Sequence, residues 1–171
     1  MLGKEYERQD CSIAHALEII GERWTLLIIR DAMYGVRRFT DFQTHLDIPK
    51  AVLSDRLAGL VKDEILGRTP DPDHHGRHVY ELTAAGRRLW PVLHALLVWG
   101  GRQRRTNSRV FKHANCRTPL DENAACPTCH LTPDVADIIT EPLRGHHGLR
   151  DDPVALALRG PHRMLEPVKT A

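Results

Sequence analysis

The sequence predicts a mainly α-helical domain with one small β-hairpin, followed by a small appendage that contains cysteine and histidine. Apolar residues recur at helical spacing on both sides of residues 65–82, where two short strand-like runs flank a loop dense in turn residues. Proline use then changes, because four of the eleven prolines lie in residues 1–112 and seven in residues 113–171. We therefore expect a packed domain at 1–108, an appendage at 109–140 and a mostly disordered tail at 141–171, with room for a short helix at 153–159.

Composition limits the classes of protein that need to be considered. Hydrophobic residues make up 42% of the 171 residues and charged residues 27%, which suits one soluble domain with a core. The formal net charge of +2 gives no global argument for nucleic acid, so any basic surface must be local. The first ten residues form no signal peptide and the apolar runs are too short to span a bilayer. We expect a cytoplasmic protein without a membrane partner, in which the four cysteines do not form disulfides.

The first two helices are predicted from their apolar faces and their glycine stops. Ser12 is the expected N-cap of the first helix, and Gly21 suits its end. The second helix is expected from about Glu22 to Tyr34, before Gly35. The apolar faces comprise Ile13, Ala16, Leu17 and Ile20 in the first helix and Trp24, Leu27, Ile28 and Met33 in the second.

A short third helix, a tight turn and a fourth helix follow. The capping box Thr40-Asp41-Phe42-Gln43 predicts that the third helix begins at Thr40. Asp47-Ile48 is the expected turn, and Pro49 suits the first turn of the fourth helix, where its missing N–H is not needed. That helix is expected to run to about Asp63, with Leu53, Leu57, Leu60 and Val61 on one narrow arc.

A hairpin and a long helix complete the predicted domain. The strands are expected at Ile65–Thr69 and Arg77–Leu82. Thr83 is the expected cap of a helix that reaches about Gly100, and Pro91 should kink or break it. Its apolar surface is broader than one small domain needs and comprises Leu89, Val92, Leu93, Leu96, Leu97 and Trp99. A short helix, a turn and a second helix followed by a hairpin is the order of a winged helix-turn-helix.

Five segments in this order resemble the HxlR family of winged-helix regulators, relatives of the MarR type. They are CSIAHAL at 11–17, GERWTLLIIR at 21–30, RFTDF at 38–42, LSDRL at 53–57 and YELT at 80–83. One departure is Glu64-Ile65, where the family usually has glycine-leucine, so either the family's turn is distorted here or Glu64 accepts an unfavourable backbone. The resemblance implies a homodimer made through the first and last helices, and transcription regulation in response to oxidants, electrophiles or a small-molecule inducer.

The fourth helix is the candidate recognition helix, because a major groove admits one helix whose N-terminal residues reach base edges. Double-stranded DNA with an inverted repeat is the expected partner, and the alternatives are solvated surface charges or a winged helix that binds protein. The candidate contacts are Lys50, Ala51, Ser54, Asp55 and Arg56 on this helix, Arg37 and Arg38 before the third helix, and Arg68, His75 and Arg77 on the wing.

The appendage carries two ligand pairs with the same two-residue gap, His113 with Cys116 and Cys126 with Cys129. Four nitrogen and sulfur ligands in two short knuckles suit one tetrahedral, structural zinc, with His130 as an alternative fourth ligand. The pattern also resembles a zinc-ribbon-like extension of some family members, although Arg117 stands where such knuckles often have glycine. The alternatives are cysteines that share a flexible tail and a redox pair at Cys126 and Cys129.

Cys11 and the absence of catalytic motifs complete the sequence-based expectations. Cys11 lies just before a helix, where N–H groups favour a thiolate, and the resemblance implies a redox-reactive cysteine at this place. A buried, unreactive cysteine is the equal alternative. The chain has no glycine-rich phosphate loop, HExxH helix or nucleophile elbow, so we expect no enzyme. The best enzymatic alternative is a zinc-dependent hydrolase, which requires one of the four ligands to leave the metal.

Overall fold

The computed structural model describes residues 10–104, 108–143 and 150–170, and it has the predicted mainly helical architecture with small antiparallel sheets. The helical domain contains α1 (Ser12–Ile20), α2 (Thr25–Met33), α3 (Phe39–Leu46), α4 (Lys50–Lys62), β1 (Leu66–Pro70), β2 (His78–Leu82), α5 (Ala84–Arg87) and α6 (Trp90–Arg104). The remaining elements are β3 (Arg109–His113), a short 3-10 helix (Val135–Asp137), β4 (Ile138–Pro142), α7 (Pro153–Ala157) and β5 (His162–Arg163).

Two predicted helix starts are wrong. The N-cap of α1 is Cys11 rather than Ser12, and the N-cap of α3 is Arg38, so α3 begins before Thr40 and the expected capping box does not form. The wing explains the second difference. Arg38 pairs with Val79 in an isolated antiparallel bridge, and the carbonyl of Arg37 accepts a hydrogen bond from the Tyr80 N–H. The chain that enters α3 is therefore held by the hairpin and not by a local cap.

The turns at the two ends of α4 lie at the residues where the sequence predicts them. Asp47 adopts the left-handed conformation with φ 53° and ends α3, and Pro49 is the N-cap of α4. Glu64 also adopts a left-handed φ of 55°, which is the second of the two outcomes expected where the family has glycine. The Thr83 hydroxyl donates a hydrogen bond of 2.6 Å to the Glu64 carbonyl, so the start of the next helix helps to hold this unfavourable turn.

The last helix of the domain is broken into α5 and α6. Thr83 caps α5 as predicted, because its hydroxyl accepts a hydrogen bond of 3.1 Å from the Gly86 N–H. Pro91 is the second residue of α6, in the first turn, where a missing N–H leaves no intrahelical bond unmade. The predicted break therefore lies just before Pro91, at residues 88–89.

One hydrophobic core runs through the helical domain and into the appendage. Ile28, Met33 and Phe42 are its fully buried centre in the helical domain, and Phe111 and Ile138 extend it from the second sheet. That sheet has the order β3-β4-β5, with antiparallel pairing throughout. The appendage thus packs on the helical domain through shared apolar contacts.

The structure differs from the predicted disordered tail, because residues 150–170 form a C-terminal segment that packs on the domain. Val154, Leu158 and Met164 are almost completely buried. The Leu165 N–H donates to the Met33 carbonyl (2.9 Å), and the Val168 N–H donates to the Gly35 carbonyl (3.1 Å). Prolines and glycines here separate short elements whose few apolar residues reach a distant core, a contact that composition does not reveal. Residues 144–149 of the predicted tail lie outside the described residues.

Candidate nucleic-acid interface and metal centre

The N-terminal half of α4 presents the predicted recognition residues on one exposed face. Lys50, Ala51, Ser54 and Asp55 are exposed, whereas the opposite face is buried through Leu53, Leu57 and Leu60. This division follows from helical periodicity, because the buried residues recur every three or four positions. The exposed face carries hydrogen-bond donors at the N-terminal end of α4, the end of a recognition helix that reaches base edges.

Arg56 is the least available of the predicted residues on α4. Its side chain is only 23% exposed, and its guanidinium lies 2.9 Å from the Asp55 carboxylate and 3.6 Å from that of Glu22. The ion pair with Asp55 joins adjacent residues at the surface and is weak in water. Arg56 would therefore have to exchange these partners for a base or phosphate.

Arg37 and Arg38 are partly exposed, and each is paired with a carboxylate of the same chain. The Arg38 guanidinium binds the carboxylates of Asp71 (2.9 Å) and Asp73 (2.7 Å) in the wing loop. Arg37 pairs with Glu81 at 2.5 Å and also donates to the Leu165 carbonyl. Both arginines thus join the start of α3 to other elements, and each would have to leave these partners to hold a phosphate.

Asp71 is a buried acidic residue that sequence reasoning missed. The hydrogen bond from Arg38 is the main reason that the pKa of the Asp71 carboxyl falls to about 2, and the Asp73 N–H also donates to this carboxylate. His74 lies 3.3 Å away on the same loop. Asp71 therefore fixes the position of the wing relative to α3. The loop's turn residues predicted only a hairpin turn, because the partner arginine lies 33 residues earlier in the chain.

The wing residues predicted to reach DNA remain on the surface. Arg68, His75 and Arg77 are exposed. The Arg68 guanidinium lies 3.1 Å from the His78 ring nitrogen across the hairpin. The wing therefore adds positively charged side chains at the surface.

The four predicted metal ligands are brought together. The ligand atoms of His113, Cys116, Cys126 and Cys129 all lie within 4.8 Å of one another. The Cys116 sulfur is 3.4 Å from that of Cys126 and 3.5 Å from His113 Nδ1. A tetrahedral site with metal–sulfur bonds of about 2.3 Å places neighbouring sulfurs about 3.8 Å apart, so the spacing fits one ion. His130 is not in the cluster.

The two ligand pairs lie on knuckles with the same backbone geometry. In the first, the His113 N–H donates to the Thr118 carbonyl and the Arg117 N–H donates to that of His113. The second repeats both bonds at the same spacing, from Cys126 to Leu131 and from His130 back to Cys126. Arg117 (φ 61°) and His130 (φ 54°) both adopt the left-handed conformation. Arg117 therefore keeps the backbone that glycine usually supplies at this position.

Three cysteine sulfurs in one cluster cannot all ionise easily without a cation. Hydrogen bonds from Thr118 lower the pKa of the Cys116 thiol to about 6. The hydrogen bond with Cys116 is the main reason that the pKa of Cys129 rises to about 11, and repulsion from the charges of Cys116 and Cys126 raises it further. A divalent cation would neutralise this repulsion and stabilise all three thiolates. The donor set of one imidazole and three thiolates is a common structural zinc set.

Cys11 lies apart from this cluster, exposed at the N-terminus of α1. The backbone N–H groups of Ala14 and Ile13 lower the pKa of its thiol. Cys11 is therefore not buried among the residues that the structure describes, which differs from the burial that the structural alternative expects. Whether the thiol reacts stays a prediction.

The helices at the two ends of the domain expose large apolar side chains. In α1, Ile13 is 70% exposed, and in α6 Trp99 is 63% exposed. Leu17, Val92 and Leu96 are also exposed on these helices. Large apolar side chains are costly to leave in contact with water, so these faces of α1 and α6 are candidates for an interface. No helix in the described parts of the chain has both the length and the apolar character needed to cross a bilayer.

Comparison with known proteins gives consistent matches over the helical domain. The model of the HxlR-like helix-turn-helix family matches residues 19–108. Rv3095, an uncharacterized HTH-type transcriptional regulator of Mycobacterium tuberculosis strain H37Rv, is 37% identical over 134 residues, which cover 77% of this chain and 85% of Rv3095.

Comparison with solved structures also finds proteins described as transcription factors or regulators. The crystal structure of PA1607, a proposed transcription factor, has a TM-score of 0.61 at 30% identity, covering 68% of this chain and 84% of PA1607. The redox regulator HypR in its reduced form has a TM-score of 0.50 at 26% identity, covering 55% of this chain and 94% of HypR.

Proposed function

The chain belongs to the HxlR-like helix-turn-helix family, and we propose that it is a cytoplasmic transcriptional regulator that binds an inverted-repeat operator as a homodimer. The observation that carries this proposal is the exposed N-terminal face of α4, which includes Lys50 and Ser54 and would reach base edges in a major groove. The alternatives of solvated surface charges and of a protein-binding winged helix would leave α4 without sequence-specific DNA contacts.

A pair of lysine variants on the same helix tests this proposal. Lys50→Ala removes a donor at the first turn, whereas Lys62→Ala removes the same charge about 18 Å away at the other end of α4. On an operator selected from random sequences, we expect Lys50→Ala to weaken binding about tenfold and Lys62→Ala to change it little. Equal affinities for the two variants would refute the assignment of α4 as the recognition helix.

A homodimer is proposed from the exposed apolar faces of α1 and α6. In a symmetric dimer the two recognition helices would lie about one DNA turn, ~34 Å, apart. Trp99→Asp places a charge on the largest exposed apolar side chain and should convert the dimer to a monomer in sedimentation experiments. The control is Arg104→Asp, which changes the charge at an exposed position of α6 outside this apolar face. A wild-type protein that sediments as a monomer at micromolar concentration would end the proposal.

Zinc is the metal that we propose for the cluster of His113, Cys116, Cys126 and Cys129. All four ligand atoms converge, which supports a closed structural site and gives no support to a hydrolase with an open coordination position. Cys129→Ser should lower the zinc content from one per protomer to a small fraction. Cys11→Ser, which changes a cysteine outside the cluster, should retain it. Purified protein that contains no zinc after growth in zinc-replete medium would contradict the site.

Cys11 is our proposed sensor of oxidants or electrophiles. Full exposure and a lowered thiol pKa support this role, because the thiolate is the reactive form. Cys11→Ser should bind the operator but no longer release it after treatment with a quinone. If the variant and the wild type release DNA equally, sensing does not depend on Cys11.

A further inference from the structure

The last residues of the C-terminal segment lie against the chain that leads into α3, the first helix of the helix-turn-helix. The Val168 N–H donates to the Gly35 carbonyl (3.1 Å), and the Thr170 hydroxyl donates to the Asp41 carboxylate (3.4 Å). Gly35 lies just after α2, and Asp41 lies in the first turn of α3. Lys169, the residue between these two contacts, is therefore held beside the start of α3, where it is exposed.

Upstream contacts fix the path of the segment toward Lys169. The Leu165 N–H donates to the Met33 carbonyl (2.9 Å), and the Arg37 guanidinium donates to the Leu165 carbonyl (3.0 Å). The Val168 side chain is partly buried against the hydrophobic core. Because its neighbours on both sides are anchored in this way, Lys169 has a defined place in the fold.

The start of α3 is rich in carboxylates, those of Asp41, Asp71, Asp73 and Glu81. Arg37 and Arg38 are each committed to at least one of them. A DNA phosphate that approaches α3 would therefore be repelled unless further cations lie nearby. Among the described residues, Arg77 on the wing and Lys169 are nearby cations for which the structure shows no ion-pair partner.

We infer that Lys169 is a contact to the DNA backbone, brought to the protein–DNA interface by the docked C-terminal segment. In a helix-turn-helix complex the first helix crosses the DNA backbone while the second helix enters the major groove. A cation beside the start of α3 then lies where phosphate groups pass, and the compact ammonium of a lysine suits a phosphate. This inference rests on the proposed DNA binding through α4, and it extends the interface beyond residues 19–108, which the family model matches.

The salt dependence of DNA binding by Lys169→Ala tests the inference on two duplexes, the selected operator and a random sequence of the same length. Each lost phosphate contact lowers the slope of log K against log salt by about 0.9, so a homodimer should lose about 1.8. The ratio of the variant's Kd to that of the wild type should therefore fall about tenfold between 50 and 200 mM KCl. Phosphates carry no sequence information, so both duplexes should be affected alike.

Three further variants separate the charge of Lys169 from its packing. Lys169→Arg keeps the charge and should keep the wild-type slope. Arg159→Ala removes an exposed cation of the same segment, just after α7, and should change neither the affinity nor the slope. Val168→Pro retains Lys169 but removes the N–H that binds Gly35, so it should lower the slope as Lys169→Ala does. Circular dichroism confirms that each variant folds.

The outcomes distinguish this inference from the proposed function. If Lys169→Ala keeps the wild-type affinity and slope while Lys50→Ala weakens operator binding, the contact from Lys169 is overturned and the recognition helix stands. A wild-type protein that binds neither duplex overturns both proposals. A reduced slope in Lys169→Ala with an unchanged slope in Val168→Pro overturns delivery by the docked segment. Equal losses of slope in these two variants on both duplexes, with none in Arg159→Ala, support the inference.

Discussion

Gly35 is expected to be the glycine on which the C-terminal segment most depends. It adopts φ +85°, and a Cβ built at this position would lie 1.7 Å from the Glu166 carbonyl oxygen. That oxygen belongs to the backbone, so the segment would have to move away rather than a side chain rotate. Gly76 provides a matched control, because it has a similar φ of +76° but no atom within 4 Å of its Cβ position.

Two contributions set the magnitude of the Gly35→Ala effect: the left-handed backbone and the displacement of the C-terminal segment. A left-handed backbone costs an L-residue about 1–2 kcal/mol, and this term applies equally to Gly76→Ala. At Gly35 the displaced segment also loses the hydrogen bonds from Val168 to Gly35 and from Leu165 to Met33, worth about 1 kcal/mol each. We expect a loss of free energy of unfolding of about 3–4 kcal/mol for Gly35→Ala and about 1–2 kcal/mol for Gly76→Ala.

Urea denaturation followed by both circular dichroism and tryptophan fluorescence measures this difference. Hydrogen exchange of residues 162–170 shows whether the C-terminal segment is the part that loosens. Equal destabilisation by the two substitutions, or unchanged exchange in Gly35→Ala, would refute the packing of this segment against Gly35.

Three further predictions concern other parts of the molecule. Asp71 has a pKa lowered to about 2, so its charge stabilises the fold above the ordinary carboxyl pKa of 3.8, and this contribution is lost as the pH falls toward 2. The fall in melting temperature between pH 4 and pH 2 should therefore be smaller in Asp71→Asn. Removal of metal with a strong chelator should increase hydrogen exchange in residues 109–140 while the α4 amides stay protected, and exchange that does not change would argue against a structural metal. Thr83→Ala should cost about 1 kcal/mol in urea denaturation, because it removes the cap of α5 and the bond to Glu64, whereas Thr44→Ala on the exposed side of α3 should cost much less.

The features that sequence predicted well are those encoded locally. Periodicity and turn residues predicted the helices, the hairpin and the break near Pro91, because each depends on neighbours within a few positions. The convergence of the four candidate metal ligands was also predictable, since two pairs with a two-residue gap each form a knuckle from local hydrogen bonds. The left-handed Glu64 was one of the two outcomes expected from its departure from the family's glycine.

The features that sequence analysis missed depend on partners far along the chain. Arg37 and Arg38 were predicted as phosphate contacts, but the structure pairs them with Glu81, Asp71 and Asp73. The order in residues 150–170 likewise depends on distant contacts, among them the hydrogen bond between His45 and Asp152, 107 residues apart. Composition could not reveal these pairs, because each residue taken alone looks like an ordinary surface charge.

The shared core has a consequence for how the protein is made. Val154, Leu158 and Met164 pack into the same apolar cluster as Ile28 and the other early helices. During synthesis the N-terminal helices leave the ribosome before these three residues exist, so the nascent domain exposes the apolar surface that they later cover. Complete packing is therefore reached only after residue 164 has left the ribosome. A chain cut short by premature termination would carry the recognition helix on an incompletely closed domain, which cellular proteases can recognise and remove before it competes for DNA.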